Sequence, residues 1–136
     1  MIVVLQCSAK KRRGIYPAWD LYRGPLFTVS FRYARMLAEP KDIYILSGKY
    51  GLIRSLRPIQ SYDQRIGEFT EELEQRYREQ AMAYGILEES RVILLTGKDY
   101  RRHLLPLWPD AETPLEGKGG MVRMMAWMNR QRKEIS

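Results

Sequence analysis

The sequence predicts an α/β fold: a three-layer sandwich around a small, mainly parallel sheet of three or four strands. Three observations carry this. First, the runs Ile2–Leu5, Ile43–Leu46 and Val92–Leu95 are apolar throughout, as expected of strands covered on both faces in a parallel sheet. Second, the stretches between them contain apolar residues at helical spacing, so strand and helix alternate. Third, each run ends in a polar loop with a hydroxyl residue and a lysine two positions on: Ser8 and Lys10, Ser47 and Lys49, Thr96 and Lys98. Ligands of open α/β sheets sit beyond the carboxyl ends of the strands, so this repeat marks one edge as the candidate site.

Residues 2–6 form the first strand. The loop Cys7–Gly14 follows, with the consecutive cations Lys10, Lys11, Arg12 and Arg13. Amides at a strand end, a hydroxyl and cations can form an anion nest or a solvated basic turn. The glycine spacing of a Walker loop is absent. Residues 15–25 read as an irregular aromatic segment ending in Gly24-Pro25, with the proline suited to a helix's first turn. A helix is expected from Leu26 to Ala38, turning Leu26, Val29, Tyr33 and Leu37 to the sheet. Glu39-Pro40-Lys41 stops it before the second strand, which empties into Ser47-Gly48-Lys49-Tyr50-Gly51.

Residues 53–63 read as a long loop with two arginines, a type more often functional than idle. Thr70 caps a helix to Tyr84, with Glu71, Glu72 and Glu74 at its positive end. Leu73, Tyr77, Ala81 and Tyr84 form its apolar stripe, and Gly85 suits its C-terminal cap. After the third strand, a short helix is expected over Lys98–Leu105, ended by Pro106. A short edge strand is expected within 107–113, then a glycine-rich turn over 114–120. A last helix runs from Met121 to about Lys133. Its terminal cations complement the helix dipole, and its methionines read as core filler.

The chain's 136 residues suit a single domain over 1–136. Such a chain buries about two-thirds of its unfolded surface and needs no disulfide or metal to fold. One cysteine excludes an intramolecular disulfide, and one histidine argues against a Cys/His zinc site; no metal or cofactor is implied. No apolar run nears the about 20 residues of a membrane helix, and the apolar start lacks the basic segment of a secretory leader. A cytoplasmic protein without a membrane partner is expected. The net charge of +7 favours an anionic partner, nucleic acid or nucleotide.

Ser8, Lys10, Lys11, Ser47, Lys49 and Lys98 are the candidate phosphate ligands. Charge-assisted hydrogen bonds contribute about 1.5–3 kcal/mol each, so a few suffice to position a nucleotide. In the alternative reading the serines satisfy turn amides and the lysines are solvated. Tyr22, Tyr50 and Tyr62 are candidates to stack on bases, at about 1–3 kcal/mol per base. Asp20 and Glu116 are the candidate catalytic carboxylates. Asp20 could pair with Lys10 or Lys49, act as a base, or stabilise a cation. Glu116, in a glycine turn, could stabilise the oxocarbenium-like carbon of an N-glycosidic bond or pair with Lys118. Cys7 reads as a small buried residue, and His103, beside Arg101 and Arg102, as a surface one.

Taken together, several segments resemble a family of short bacterial and phage proteins of unknown function. They are Cys7-Ser8 with Lys10-Lys11, Pro17-Ala18 with Asp20-Leu21-Tyr22 and Phe27, Ile45-Leu46-Ser47 with Lys49-Tyr50-Gly51-Leu52, Ile59 with Tyr62-Asp63, Gly97-Lys98 with Tyr100, and Pro114 to Gly117. That family is distantly similar to the peroxide-stress protein YaaA. Ile45–Gly51 and Leu56–Tyr62 match the YaaA-like core segments, including Gly48 where the short family usually has alanine. The Cys7–Lys11 opening is also similar to that of archaeosine synthase, which works on a deazaguanine base in tRNA. YaaA binds DNA and carries a helix-hairpin-helix element; the chain has no copy of it. The resemblance therefore implies nucleic acid as partner, DNA ahead of RNA, without that binding mode. The resulting expectation is a nucleic-acid-associated protein with a cationic pocket for a nucleotide or modified base, acting as a base-processing enzyme. The alternatives are a nucleotide N-ribosyl hydrolase or transferase, and a DNA-binding module without chemistry.

Overall fold

Alternation along the strands decides the layers. In the computed structural model, which describes residues 1–135, β1 (Ile2–Gln6) sends Val3 and Leu5 to one face of the sheet and Ile2 and Val4 to the other. The strands β3 (Ile43–Ser47) and β6 (Val92–Leu95) divide in the same way. On the first face lie α2 (Pro25–Leu37) and the C-terminal helix Met121–Ile135, through Leu26, Phe27, Tyr33, Ala34, Met124 and Met128. On the second lie α3 (Glu71–Tyr84) and α4 (Lys98–Leu104), through Tyr77, Ala81 and Leu104. This is the expected three-layer sandwich, with the C-terminal helix as α5.

The sheet order is β4-β3-β1-β6, where β4 is Gly51–Arg54. β1 pairs in parallel with β3 and with β6. β4 pairs antiparallel with β3, with Ser47 opposite Gly51. The expected loop over 53–63 is thus corrected: it begins in a strand and contains another. Ile53 and Leu52 continue the alternation, one into each face, but the apolar stretch is too short to be told from a loop by periodicity. The second strand, β5 (Pro58–Gln60), forms an antiparallel ribbon with β2 (Ile15–Pro17), which leads into the single turn α1 (Ala18–Leu21). The edge strand expected within 107–113 is reduced to one parallel bridge between Ile93 and Glu112.

The helix ends follow their chemistry. Thr70 Oγ1 accepts from the Leu73 amide, and Gly85 closes α3 in the left-handed region at φ 74°. Pro25 opens α2. In α5 the expectation of methionine filler holds for Met124 and Met128, while Met121 is exposed. His103, expected at the surface, is only 2% exposed. Its ring packs against Phe69 and Tyr77, because its position on α4 points inward despite its basic neighbours. Among the described residues no helix is long and apolar enough to cross a membrane.

Candidate site at the carboxyl edge of the sheet

The turn between β3 and β4 is shaped by two glycines. A Cβ on Gly48 would lie 2.5 Å from the Gln64 carbonyl oxygen and 2.8 Å from the Arg65 carbonyl carbon. Only glycine admits the segment that crosses there. Gly51, at φ 73°, turns the chain back into β4 and leaves room for the Gln80 side chain. Helix α3 then holds the turn with residues four apart. Arg76 Nη2 donates to the Lys49 carbonyl at 2.9 Å, Gln80 Nε2 to that of Tyr50 at 2.9 Å, and Tyr84 Oη to that of Leu52 at 2.9 Å. Gln80 Oε1 accepts from the Leu52 amide at 2.8 Å. The outer edge of β4 is therefore capped by side chains. Sequence reasoning missed Arg76 and Gln80; their four-residue spacing beside the apolar stripe was the available signal.

Ser47 is buried, and its hydroxyl is occupied three ways. It accepts from the amides of Lys49 and Tyr50 at 3.2 and 3.0 Å and donates to Tyr62 Oη at 2.8 Å. The hydroxyl builds the turn and anchors a tyrosine, which matches the alternative reading in which the serines satisfy turn amides. Tyr62 Oη is also 2.7 Å from Tyr22 Oη. Tyr22, expected to stack on a base, is 2% exposed and belongs to the core. Burial raises the pKa of both phenols, and Tyr100, whose hydroxyl lies 3.3 Å from Cys7 Sγ, is raised by burial first and by Cys7 next. At neutral pH these phenols stay protonated and cannot serve as bases. Cys7 is buried, as expected.

Above this buried layer the cations gather. Lys11 Nζ lies 4.3 Å from the centre of the Tyr62 ring, and Tyr50 meets that ring edge-on at 5.5 Å between centroids. Lys49 Nζ and the Arg57 guanidinium lie 5.4 and 5.5 Å from the Tyr50 ring centre. Each contact is worth about 0.5–1 kcal/mol at an exposed site. Tyr50 and Tyr62 are partly exposed, so their rings remain within reach from outside. Arg57 was visible in the sequence only as one of two arginines in a loop.

The first loop joins the same edge through backbone. Lys11 and Tyr22 form an antiparallel bridge, the Arg12 amide donates to Leu21, and that of Arg23 to Lys10. Ser8 Oγ donates to the Lys10 carbonyl at 2.7 Å and accepts from the Gly24 amide at 3.1 Å; like Ser47, it satisfies its turn. Lys10 is exposed beside it. Asp20 pairs with neither Lys10 nor Lys49. Its two oxygens accept from Arg12 and Arg23, each at 2.8 Å, since the short α1 places it between them.

The third strand end closes against the first. The strand order reverses about β1, so the crevice expected to hold a ligand lies between β1 and β6. There Gln6 Oε1 accepts from the Gly97 amide at 2.6 Å, and Cys7 meets Tyr100. Thr96 Oγ1 is buried at this crevice with no hydrogen-bond partner among the described residues. Lys98 begins α4 and is exposed. Glu116 lies on an exposed turn, where Thr113 Oγ1 donates to it at 2.8 Å; Lys118 instead lies 5.4 Å from the Trp127 ring centre. The structure thus brings Ser8, Lys10, Lys11, Asp20, Tyr22, Ser47, Lys49, Tyr50 and Tyr62 into one linked network, and Glu116 is held by a contact of its own.

The chain matches the family of unknown function DUF6884 over residues 2–130 and belongs to that family. No curated protein matches it.

Proposed function

We propose that this member of the DUF6884 family is a nucleic-acid-associated protein that holds a nucleotide or modified base at the carboxyl edge of its sheet. The observation that carries the reading is the Tyr62 ring, fixed at its hydroxyl by Ser47 and Tyr22 and capped on its face by the Lys11 ammonium. An anchored ring beneath a lysine ammonium, which also donates to the Ala9 carbonyl at 3.2 Å, offers a stacking platform and a phosphate contact in one place. Lys10, Lys49 and Arg57 extend the positive surface around it, in keeping with a net charge of +7. The reading of Ile45–Gly51 and Leu56–Tyr62 as YaaA-like segments favours DNA ahead of RNA. Asp20, held by two arginines, and Glu116, on its own turn, favour binding over bond cleavage as the basic activity.

The test is binding of DNA and RNA as a function of salt. Neutralising about five phosphates of a duplex gives a log–log slope near −4.5. Removing two cations in the Lys11→Ala/Lys49→Ala variant makes that slope shallower by about 1.8. No binding, or binding indifferent to salt, overturns the reading. A base-processing or N-ribosyl activity would be seen as product release from oligonucleotides or mononucleotides, and full turnover in Glu116→Gln would remove that carboxylate from it.

A further inference from the structure

The β4–β5 turn opens on a second basic surface. A cavity of about 770 Å³ is lined by Lys41, Asp42, Tyr44, Arg54, Leu56, Arg57 and Tyr84. Its cations outnumber its single carboxylate, and Asp42 is 3.7 Å from Lys41 Nζ. The Arg54 guanidinium lies 5.1 Å from the Tyr84 ring centre, and Tyr84 packs on Tyr44 at 5.5 Å. The walls are fixed before any ligand arrives. The Ser55 amide donates to Ile43 and its hydroxyl to the Pro40 carbonyl at 2.7 Å. On the other side the amides of Ala18 and Trp19 donate to Arg57 and Ser55. Arg57 belongs to both surfaces, near the Tyr50 ring and in the cavity wall.

We infer that this groove binds a flanking nucleotide of the same nucleic acid, and that the strand bound is unpaired. The inference rests on the function proposed above and adds the substrate class. Two patches of cation on aromatic ring, joined by one arginine, fit successive bases and phosphates of a single strand. Guanidinium planes and tyrosine rings can take base faces only where those faces are free of pairing. A duplex offers phosphates to Lys41, Arg54 and Arg57 but nothing to the rings.

The probes are a deoxyadenylate mononucleotide, a single-stranded oligonucleotide of about 12 nucleotides and its duplex, each titrated by anisotropy or calorimetry at several salt concentrations. The variants are Lys41→Ala/Arg54→Ala for the groove and Lys11→Ala/Lys49→Ala for the strand edge; Arg57, shared by both, is left in place. All four side chains are exposed save Lys11, which is partly so, and circular dichroism checks the fold. The single strand is expected to bind more tightly than the duplex. The groove variant should weaken it about tenfold and make its salt slope shallower by about 1.4, the share of two cations on a single strand. Mononucleotide binding should be unchanged in that variant. If the groove variant binds the single strand like wild type while the strand-edge variant does not, the groove inference falls and the proposed function stands. Equal affinity for duplex and single strand overturns it as well. Loss of mononucleotide binding in the groove variant would make the groove the primary site and overturn its flanking role. If the wild-type protein binds none of the probes, the proposed function fails and the groove inference with it.

Discussion

At the amino end of the sheet the polar groups are on the surface and meet in ion pairs: the Met1 ammonium with Glu89, and Arg91 with both oxygens of Glu112. At the carboxyl end a largely buried polar layer lies beneath the surface cations. Ser47, Tyr22 and Tyr62 share hydrogen bonds, Cys7 meets Tyr100, and Gln6 accepts from Gly97. Surface pairs are screened and cost little to lose, whereas a buried group left without its partner carries its full desolvation penalty. The two ends therefore do different work: one closes the fold in solvent, and the other holds aromatic rings and cations in fixed positions at an exposed edge.

The comparison breaks most sharply at Gly48. Gly48→Ala forces the backbone at 64–66 aside and should cost about 1–3 kcal/mol in chemical denaturation, as overpacking does. Ser47→Ala leaves the Lys49 and Tyr50 amides and Tyr62 Oη without their shared partner, and about 1–3 kcal/mol is expected there too. Tyr22→Phe removes one hydroxyl and keeps the ring, for about 0.5–1.5 kcal/mol. If these variants are as stable as wild type, the buried network is not what holds the edge.

The two ends also separate by pH. Burial lowers the His103 pKa below its ordinary 6.5, against a smaller opposing hydrogen bond from the ring to the Gly67 backbone, with Arg102 and Asp99 adding opposed weaker effects. The unfolded chain then binds a proton that the native one refuses. Stability is complete above 6.5 and falls as the pH drops from there towards the lowered value. That slope in denaturation midpoint should be absent in His103→Phe. At the other end, Arg91 lowers the Glu112 pKa below its ordinary 4.5. Its contribution is present above 4.5 and disappears only as the pH falls through that lower value. Glu112→Gln at neutral pH loses this contribution, and because the pair is exposed and screened the loss should be the smallest of the series; a loss as large as that of Ser47→Ala would mean that the amino end is not merely closed by surface charge.

How much of this was legible follows from what each signal depends on. The three buried strands, the caps at Thr70 and Gly85 and the three layers depend on local pattern, and they stand as expected. The carboxyl ends of β1, β3 and β6 lie on one side because the three strands run in parallel. The short strands β2, β4 and β5 escaped because three or four residues carry too little periodicity, and their pairing partners are remote in sequence.

Within the site, the sequence alone determined residue types and place: hydroxyl, lysine and tyrosine at strand ends. Only the tertiary structure decided which face solvent and which face each other. Ser47 and Lys49 stand two residues apart, yet one is buried as a keystone and the other exposed as a cation. Asp20 went to Arg12 and Arg23, Tyr22 to the core, and Glu116 to its own turn. The physical reason is that hydrogen-bond partners and burial are set by packing between distant segments. Lys11, Tyr22, Ser47 and Tyr62 come together only once the sheet and the crossing at Gly48 have formed.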